Sequence, residues 1–117
     1  MAEAAVRAVM LTFFLSHGYP EFQARAFIDS AKIESGLDAC ANGGADGMYL
    51  AQWVGPRRRR LEEAWGWSGC PPIWLQLEFA SMELRATPAY SCFLNTKNYA
   101  QAFRAIRRGF EGGSCGR

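Results

Sequence analysis

Glu34 is the side chain whose type and position most invite chemistry. It follows Phe27 by seven positions and Ala31 by three, so helical periodicity sets it on the same inward stripe as those apolar residues. A carboxylate at the C-terminal end of a helix faces the negative pole of the helix dipole, and partial burial adds a desolvation cost. Both effects raise the pKa expected of Glu34. A carboxyl group still protonated near neutral pH can donate to a leaving oxygen, which is what breaking a glycosidic bond requires. The competing reading is structural: Glu34 pairs with an arginine or caps a loop amide. Glycosidases commonly use a second carboxylate, about 5 Å away as a nucleophile and further off when it activates water. Asp38 and Asp46 are the candidates for it, and Asp46, in Gly44-Ala45-Asp46-Gly47, is the one placed to reach across a cleft. The same setting suits a turn-forming aspartate. Without a second carboxylate, Glu34 serves alone as acid and then base, with the substrate's own groups assisting.

Other reactive side chains have plainer readings. Arg57 to Arg60 form a basic run, but successive residues of a helix point about 100° apart and encircle the axis. Glu62 and Glu63 offset part of the charge, so the run reads as a solvated face and no nucleic-acid partner is expected. Some of these arginines can meet peptide carboxylates or hold loop carbonyls, and one of them can pair with Glu34. Cysteines stand at 40, 70, 92 and 115 with no Cys-x-x-Cys pair, and His17 is the single histidine. That pattern argues against a zinc finger or ribbon, and no metal or cofactor is expected. Four cysteines in a small domain suggest two disulfides and an oxidising compartment, with all three connectivities open and buried free thiols as the alternative. No cysteine sits at a helix entry that lowers a thiol pKa, so a thiol hydrolase using His17 is not expected. Trp65, Trp67 and Trp74 gather around Gly66 and Pro71-Pro72. Sugars stack on such rings, yet core filling is the default reading.

Helical periodicity between Gly and Pro punctuation positions these groups, and strand-like alternation is absent. The first helix is expected over 2–16, with Val6, Met10 and Phe13 on one face and Gly18 as a left-handed cap. The second begins at Pro20-Glu21, buries Phe27 and Ala31, and stops near Ser35-Gly36. Residues 37–55 carry four glycines and form a long ordered loop or a small hairpin rather than helix. A third helix starts at Pro56 and ends near Gly66. A fourth follows Pro71-Pro72, with Ile73, Leu77, Ala80 and Leu84 on one face. The fifth presents Tyr99, Phe103, Ile106 and Phe110 before a Gly-Gly-Ser tail.

A chain of 117 residues, half of them apolar and 21% charged, makes one compact domain spanning 1–117 rather than a disordered chain. Eight Phe, four Tyr and four Trp are enough to fill its core. A net charge of +2 suits a polyanionic cell wall or nucleic acid and many unrelated partners equally well. The longest apolar run, 8–15, includes Thr12 and spans eight residues, well short of the ~20 needed to cross a bilayer. Arg7 is the one positive charge before that run, Glu3 offsets it, and no convincing cleavage site follows closely, so an amphipathic helix is favoured over a signal peptide.

Several strings add to this reading. Glu34-Ser35-Gly36-Leu37, a glycine-rich loop, Met48-Tyr49-Leu50-Ala51-Gln52-Trp53 and Gly55-Pro56-Arg57-Arg58 together resemble the phage tail lysozyme family. The resemblance extends upstream to Phe14-Leu15 and Gly18-Tyr19 and downstream to Gln76-Leu77-Glu78-Phe79, Glu83-Leu84 and Arg108-Gly109-Phe110-Glu111, covering roughly 10–112. Goose-type lysozymes and lytic transglycosylases are similar more distantly. The resemblance implies a small all-α, single-domain lysozyme-like fold of about five helices with a Gly-rich active-site loop. It implies cleavage of peptidoglycan between N-acetylmuramic acid and N-acetylglucosamine, with Glu34 as the catalytic acid, Gln52 in the glycan cleft and Trp53 packed beneath it. Tyr49, beside Gln52, carries a hydroxyl able to bind a sugar. Relatives usually have Tyr-Gly before Leu-Ala-Gln-Trp, where this chain has Met48-Tyr49. The segment before Glu34 reads Asp29-Ser30-Ala31-Lys32-Ile33, where relatives tend to show a Gly-Asn-Leu pattern. The expected partner is therefore peptidoglycan, met by a periplasmic, secreted or phage-associated monomer with no membrane insertion. Delivery by a larger secretion or phage assembly, through a holin-like pore, or after loss of a leader are the routes open to it. The alternative is a catalytically impaired module of the same fold that binds cell wall or serves as a scaffold in such an assembly.

Overall fold

The computed structural model describes residues 2–44 and 47–112. Among them the chain is all-α, with five α-helices in the order and near the boundaries that the punctuation predicts. These are α1 (Glu3–Ser16), α2 (Glu21–Ser35), α3 (Gly55–Trp65), α4 (Ile73–Ala86) and α5 (Tyr99–Ala105). Gly36 closes α2 with φ 65° while its amide bonds the Lys32 carbonyl at 2.9 Å, a left-handed turn that glycine adopts without a Cβ penalty. The side chain of Asn98 accepts the Gln101 amide at 2.9 Å and so starts α5.

Two short elements have no sequence signal. A 3-10 helix, Ser91–Asn95, links α4 to α5, and the expected fifth helix continues as a π-helical turn, Ile106–Phe110. The wider π turn shifts the register of the residues after it and commonly occurs near functional groups.

The core corrects several stripes. On α1 it takes Val6, Met10 and Phe14, while Phe13 is only partly buried and stacks on His17 at 3.9 Å. On α5 the expected face splits: Ile106 and Phe110 are buried, whereas Tyr99 stays exposed and stacks on Phe103 at 5.9 Å. Trp67 and Trp74 do not fill the core; they are 76% and 55% exposed. Trp67 lies in the short loop after α3, and Trp74 occupies the outer side of α4, one position from the Ile73–Leu77 stripe.

α2 runs through the middle, packed against α1 on one side and α5 on the other. Phe27 joins them, with its ring 4.9 Å from Phe14 and 5.2 Å from Phe110. Trp53, fully buried at the end of the glycine-rich loop, extends the cluster 6.2 Å from Phe110. No described helix is long and apolar enough to cross a membrane. The Cys40–Cys70 disulfide ties the loop to the segment before α4, and no described cysteine is a free thiol.

Candidate functional site

Glu34 occupies the last turn of α2, where the inward stripe runs out of core. Its side chain is 23% exposed rather than buried, and Oε2 accepts from Arg107 Nη1 at 2.8 Å. The same guanidinium donates to the Ser30 hydroxyl at 2.9 Å, so Arg107, from the π turn, spans two turns of α2. An arginine does pair with Glu34, but none of Arg57 to Arg60 is that partner.

The basic run has a different fate from the solvated face expected of it. Arg59 and Arg60 are exposed. Arg57 instead points inward and makes a bidentate pair with Glu83, Nε to Oε2 and Nη2 to Oε1, both at 2.8 Å. Its remaining nitrogen donates to the Phe110 carbonyl at 2.7 Å. The guanidinium also lies 4.6 Å from the ring centroids of both Tyr90 and Phe110, a setting that suits a delocalised cation. Glu83 is 3% exposed and accepts the Trp53 indole N–H at 2.9 Å. Trp53, at the end of the glycine-rich loop, is therefore fastened by a buried ion pair.

Glu111 follows Phe110 directly. Burial pushes its carboxyl up to about 8, the Glu34 charge adds to this, Arg107 and Arg57 oppose it, and Glu83 raises it further. The carboxyl that shares the Glu34 surroundings among the described residues thus belongs to a residue to which sequence pattern assigns no role. Asp38 is exposed and caps the Cys40 amide at 2.9 Å, the turn role open to any aspartate. Asp46 lies outside the described residues.

Gln52 and Tyr49 shape the glycine-rich loop from within. Gln52 holds φ 54° and Tyr49 φ 75°, left-handed conformations that side-chain-bearing residues rarely adopt and that need support from their surroundings. Gln52 Nε2 donates to the carbonyls of Tyr49 at 3.0 Å and Ala41 at 3.3 Å. Its Oε1 presses against the backbone at Gly43 and Gly47, where a Cβ would come within 1.9 Å and 2.7 Å. The ring of Tyr49 is buried, and its hydroxyl donates to Glu62 Oε2 at 2.5 Å. Burial first, and then this bond, raise the tyrosine pKa, while the bond lowers that of Glu62. Tyr49, Glu62, Met48, Trp67 and the disulfide wall a recess of about 480 Å³.

Glu34 and Trp53 consequently stand at two ends of one polar assembly that runs through Glu83, Arg57, the Phe110–Glu111 segment and Arg107. Glu83 had a legible signal, because it follows Ala80 by three positions on a buried stripe, as Glu34 follows Ala31. Arg107 and Glu111 had none, since each lies one position off the Phe103–Ile106–Phe110 stripe and the apolar spacing gives no sign of the π turn. Among the described residues, no group of three His, Cys, Asp or Glu side chains is placed to hold a metal ion. No family model, curated protein or solved structure matches the chain.

Proposed function

We propose that this protein cleaves peptidoglycan glycan strands between N-acetylmuramic acid and N-acetylglucosamine, with Glu34 as the essential general acid/base. The observation that carries this reading is the placement of Glu34: a partly accessible carboxylate at the end of the second helix, fixed by Arg107 at 2.8 Å. The glycine-rich loop that begins two residues later is braced by the disulfide and by buried Trp53. A reactive group held on a helix end, beside a stiffened loop, meets the positioning requirement of glycoside cleavage. The glycosidic oxygen takes a proton as its bond to the anomeric carbon breaks. Water, or the sugar's own hydroxyl, then completes the reaction. The substrate places the protein in the periplasm, outside the cell or in a phage particle, as a monomer or as part of a larger secretion or phage assembly.

A second reading, a wall-binding or scaffolding module without activity, draws on the Gln52 amide. Its N–H groups are turned into the loop rather than toward a ligand. Digestion of purified peptidoglycan by wild type and Glu34→Gln separates the two. Soluble muropeptides from wild type alone support cleavage, and reducing or 1,6-anhydro ends distinguish hydrolase from transglycosylase. If neither protein releases products while both sediment with the sacculus, the module reading replaces it.

A further inference from the structure

A recess of about 430 Å³ opens at the end of α2 opposite Glu34. At about 1.5 Å of rise per residue, roughly 20 Å of helix separates Glu21 in the first turn from Glu34 in the last. Tyr19, Pro20 and Gln23 line the recess from the start of α2, Arg85 from the last turn of α4, and Thr96 and Lys97 from the link between the 3-10 helix and α5. Among the described residues no carboxylate lines it. Arg85 and Lys97 make no ion pair among the described residues, whereas Arg7, Arg25, Lys32, Arg57, Arg58 and Arg107 all do. Glu21, the acid nearest in sequence, is bonded to Arg25 at 2.7 Å. Arg85 is nevertheless held in place. Its Nη2 donates to the His17 carbonyl at 2.7 Å, its Nε to the Tyr19 hydroxyl at 3.4 Å, and its guanidinium lies 5.1 Å from the Tyr19 ring centroid. Tyr19 is buried and its hydroxyl is bonded to that of Ser81 at 2.8 Å. Gln23 adds a polar atom of the opposite kind. It is 3% exposed, and its Nε2 donates to the Leu94 carbonyl and the Thr96 hydroxyl, both at 3.3 Å, which fixes the orientation of the amide. Its Oε1 accepts from no described residue. Among the described residues the one sealed side-chain polar atom without a partner is Trp65 Nε1, so Gln23 Oε1 is open to solvent, at the recess that Gln23 lines. An acceptor on a buried side chain left open in this way calls for a donor.

We propose that this recess binds the free carboxy terminus of a peptide, with the carboxylate on Arg85 and Lys97 and the neighbouring amide N–H donating to Gln23 Oε1. Two cations without an acid call for an anion, and the positive end of the α2 dipole, which no side chain caps, favours one at the same place. A fully ionised inorganic anion offers Gln23 Oε1 no donor. The last residue of a peptide carries a carboxylate and an N–H on the same α-carbon, and so meets both demands at once. The volume of the recess is that of a small-ligand site. Peptidoglycan carries such ends on its stem peptides, so on that substrate the recess holds the wall at the far end of α2 from Glu34 and takes no part in bond cleavage. The assignment goes beyond the cleavage reading and does not rest on it.

Amide NMR titration of the whole protein at low ionic strength tests this with N-acetyl-dialanine in its L,L and D,D forms, the C-terminal amide of each, and sulfate. At least one of the free acids is expected to shift the amides of Gln23, Thr96 and Lys97. Its C-terminal amide, which lacks the charge, binds roughly tenfold more weakly or worse, and sulfate, which lacks the N–H, binds more weakly than the acid. Lys97 is exposed and its ammonium bonds no described residue, so Lys97→Glu keeps the fold while replacing attraction with repulsion; a loss of about tenfold in affinity is expected. Lys97→Arg retains binding. The proposal is overturned if the acid and its amide bind alike, if sulfate matches the acid, if the shifts fall outside the recess, or if Lys97→Glu binds as wild type does. Absence of binding by both free acids up to roughly 10 mM overturns it as well. The probes contain no glycan, so the outcome stands whether or not the protein cleaves peptidoglycan.

Discussion

At the scale of single residues, neighbouring groups and burial govern charge more than residue type does. Arg107 bonds Glu34 directly, whereas the carboxyl of Glu111 is pushed up first by burial and then by the Glu34 charge, against the pull of Arg107 and Arg57. Protons are the consequence for stability. The folded state binds the Glu111 proton up to pH about 8, whereas an unfolded glutamate releases it near pH ~4.3. The folded chain therefore carries more protons than the unfolded chain between those values, so stability is full below the lower one and declines as pH rises through the upper one. Thermal denaturation should show wild type losing stability on the order of a few kcal/mol between pH 5 and 9, with Glu111→Gln nearly flat over the same range. Glu83 provides a second test. It is 3% exposed and holds both Arg57 and Trp53, so Glu83→Ala leaves a buried guanidinium without its carboxylate. A loss of about 3–5 kcal/mol in denaturant unfolding is expected, and a loss below about 1 kcal/mol would contradict the inward role assigned to Arg57.

At the scale of elements, caps and prolines set where helices stop and start, but the glycine-rich loop is set by close packing. Gly43 is glycine because Gln52 Oε1 occupies the space of its Cβ. Gly43→Ala should therefore destabilise the protein by about 1–3 kcal/mol by forcing Gln52 off the Tyr49 and Ala41 carbonyls. The same change should cost distinctly less on a Gln52→Ala background, where that space is empty, and a double-mutant cycle measures the difference. Additive effects would show that the two positions are not in contact. The loop's glycine content was legible in the sequence. The reason for it was not, because the atom that excludes a side chain at Gly43 comes from nine residues further along the chain. The π turn was hidden for a related reason. Its sequence, Ile-Arg-Arg-Gly-Phe, continues the apolar spacing of α5 well enough to read as plain helix.

At the scale of the whole molecule, the Cys40–Cys70 bridge closes a separation of 30 residues, spanning the loop and all of α3. Loop-closure entropy puts its contribution at about 3–4 kcal/mol. A Cys40→Ser/Cys70→Ser variant should unfold at correspondingly lower denaturant, and equal midpoints would mean that the packing of Trp53 and Leu61 alone holds α3 in place. Sequence alone determined the helices, because spacing of apolar residues and the Gly and Pro between them are local properties. It also determined that α2 stops near Ser35-Gly36 with Glu34 in its last turn, and that a glycine-rich loop follows. Tertiary structure decided what those residues meet. Arg57, one of four consecutive arginines, became a buried ion-pair partner because α3 is turned toward Glu83, and Arg107 reached Glu34 because α5 packs along α2. Glu111 acquired its raised pKa first from burial, with Glu34 and Glu83 adding to it and Arg107 and Arg57 opposing it. Electrostatic energy depends on distance through space and on desolvation, and neither is encoded in the spacing of residues along one helix.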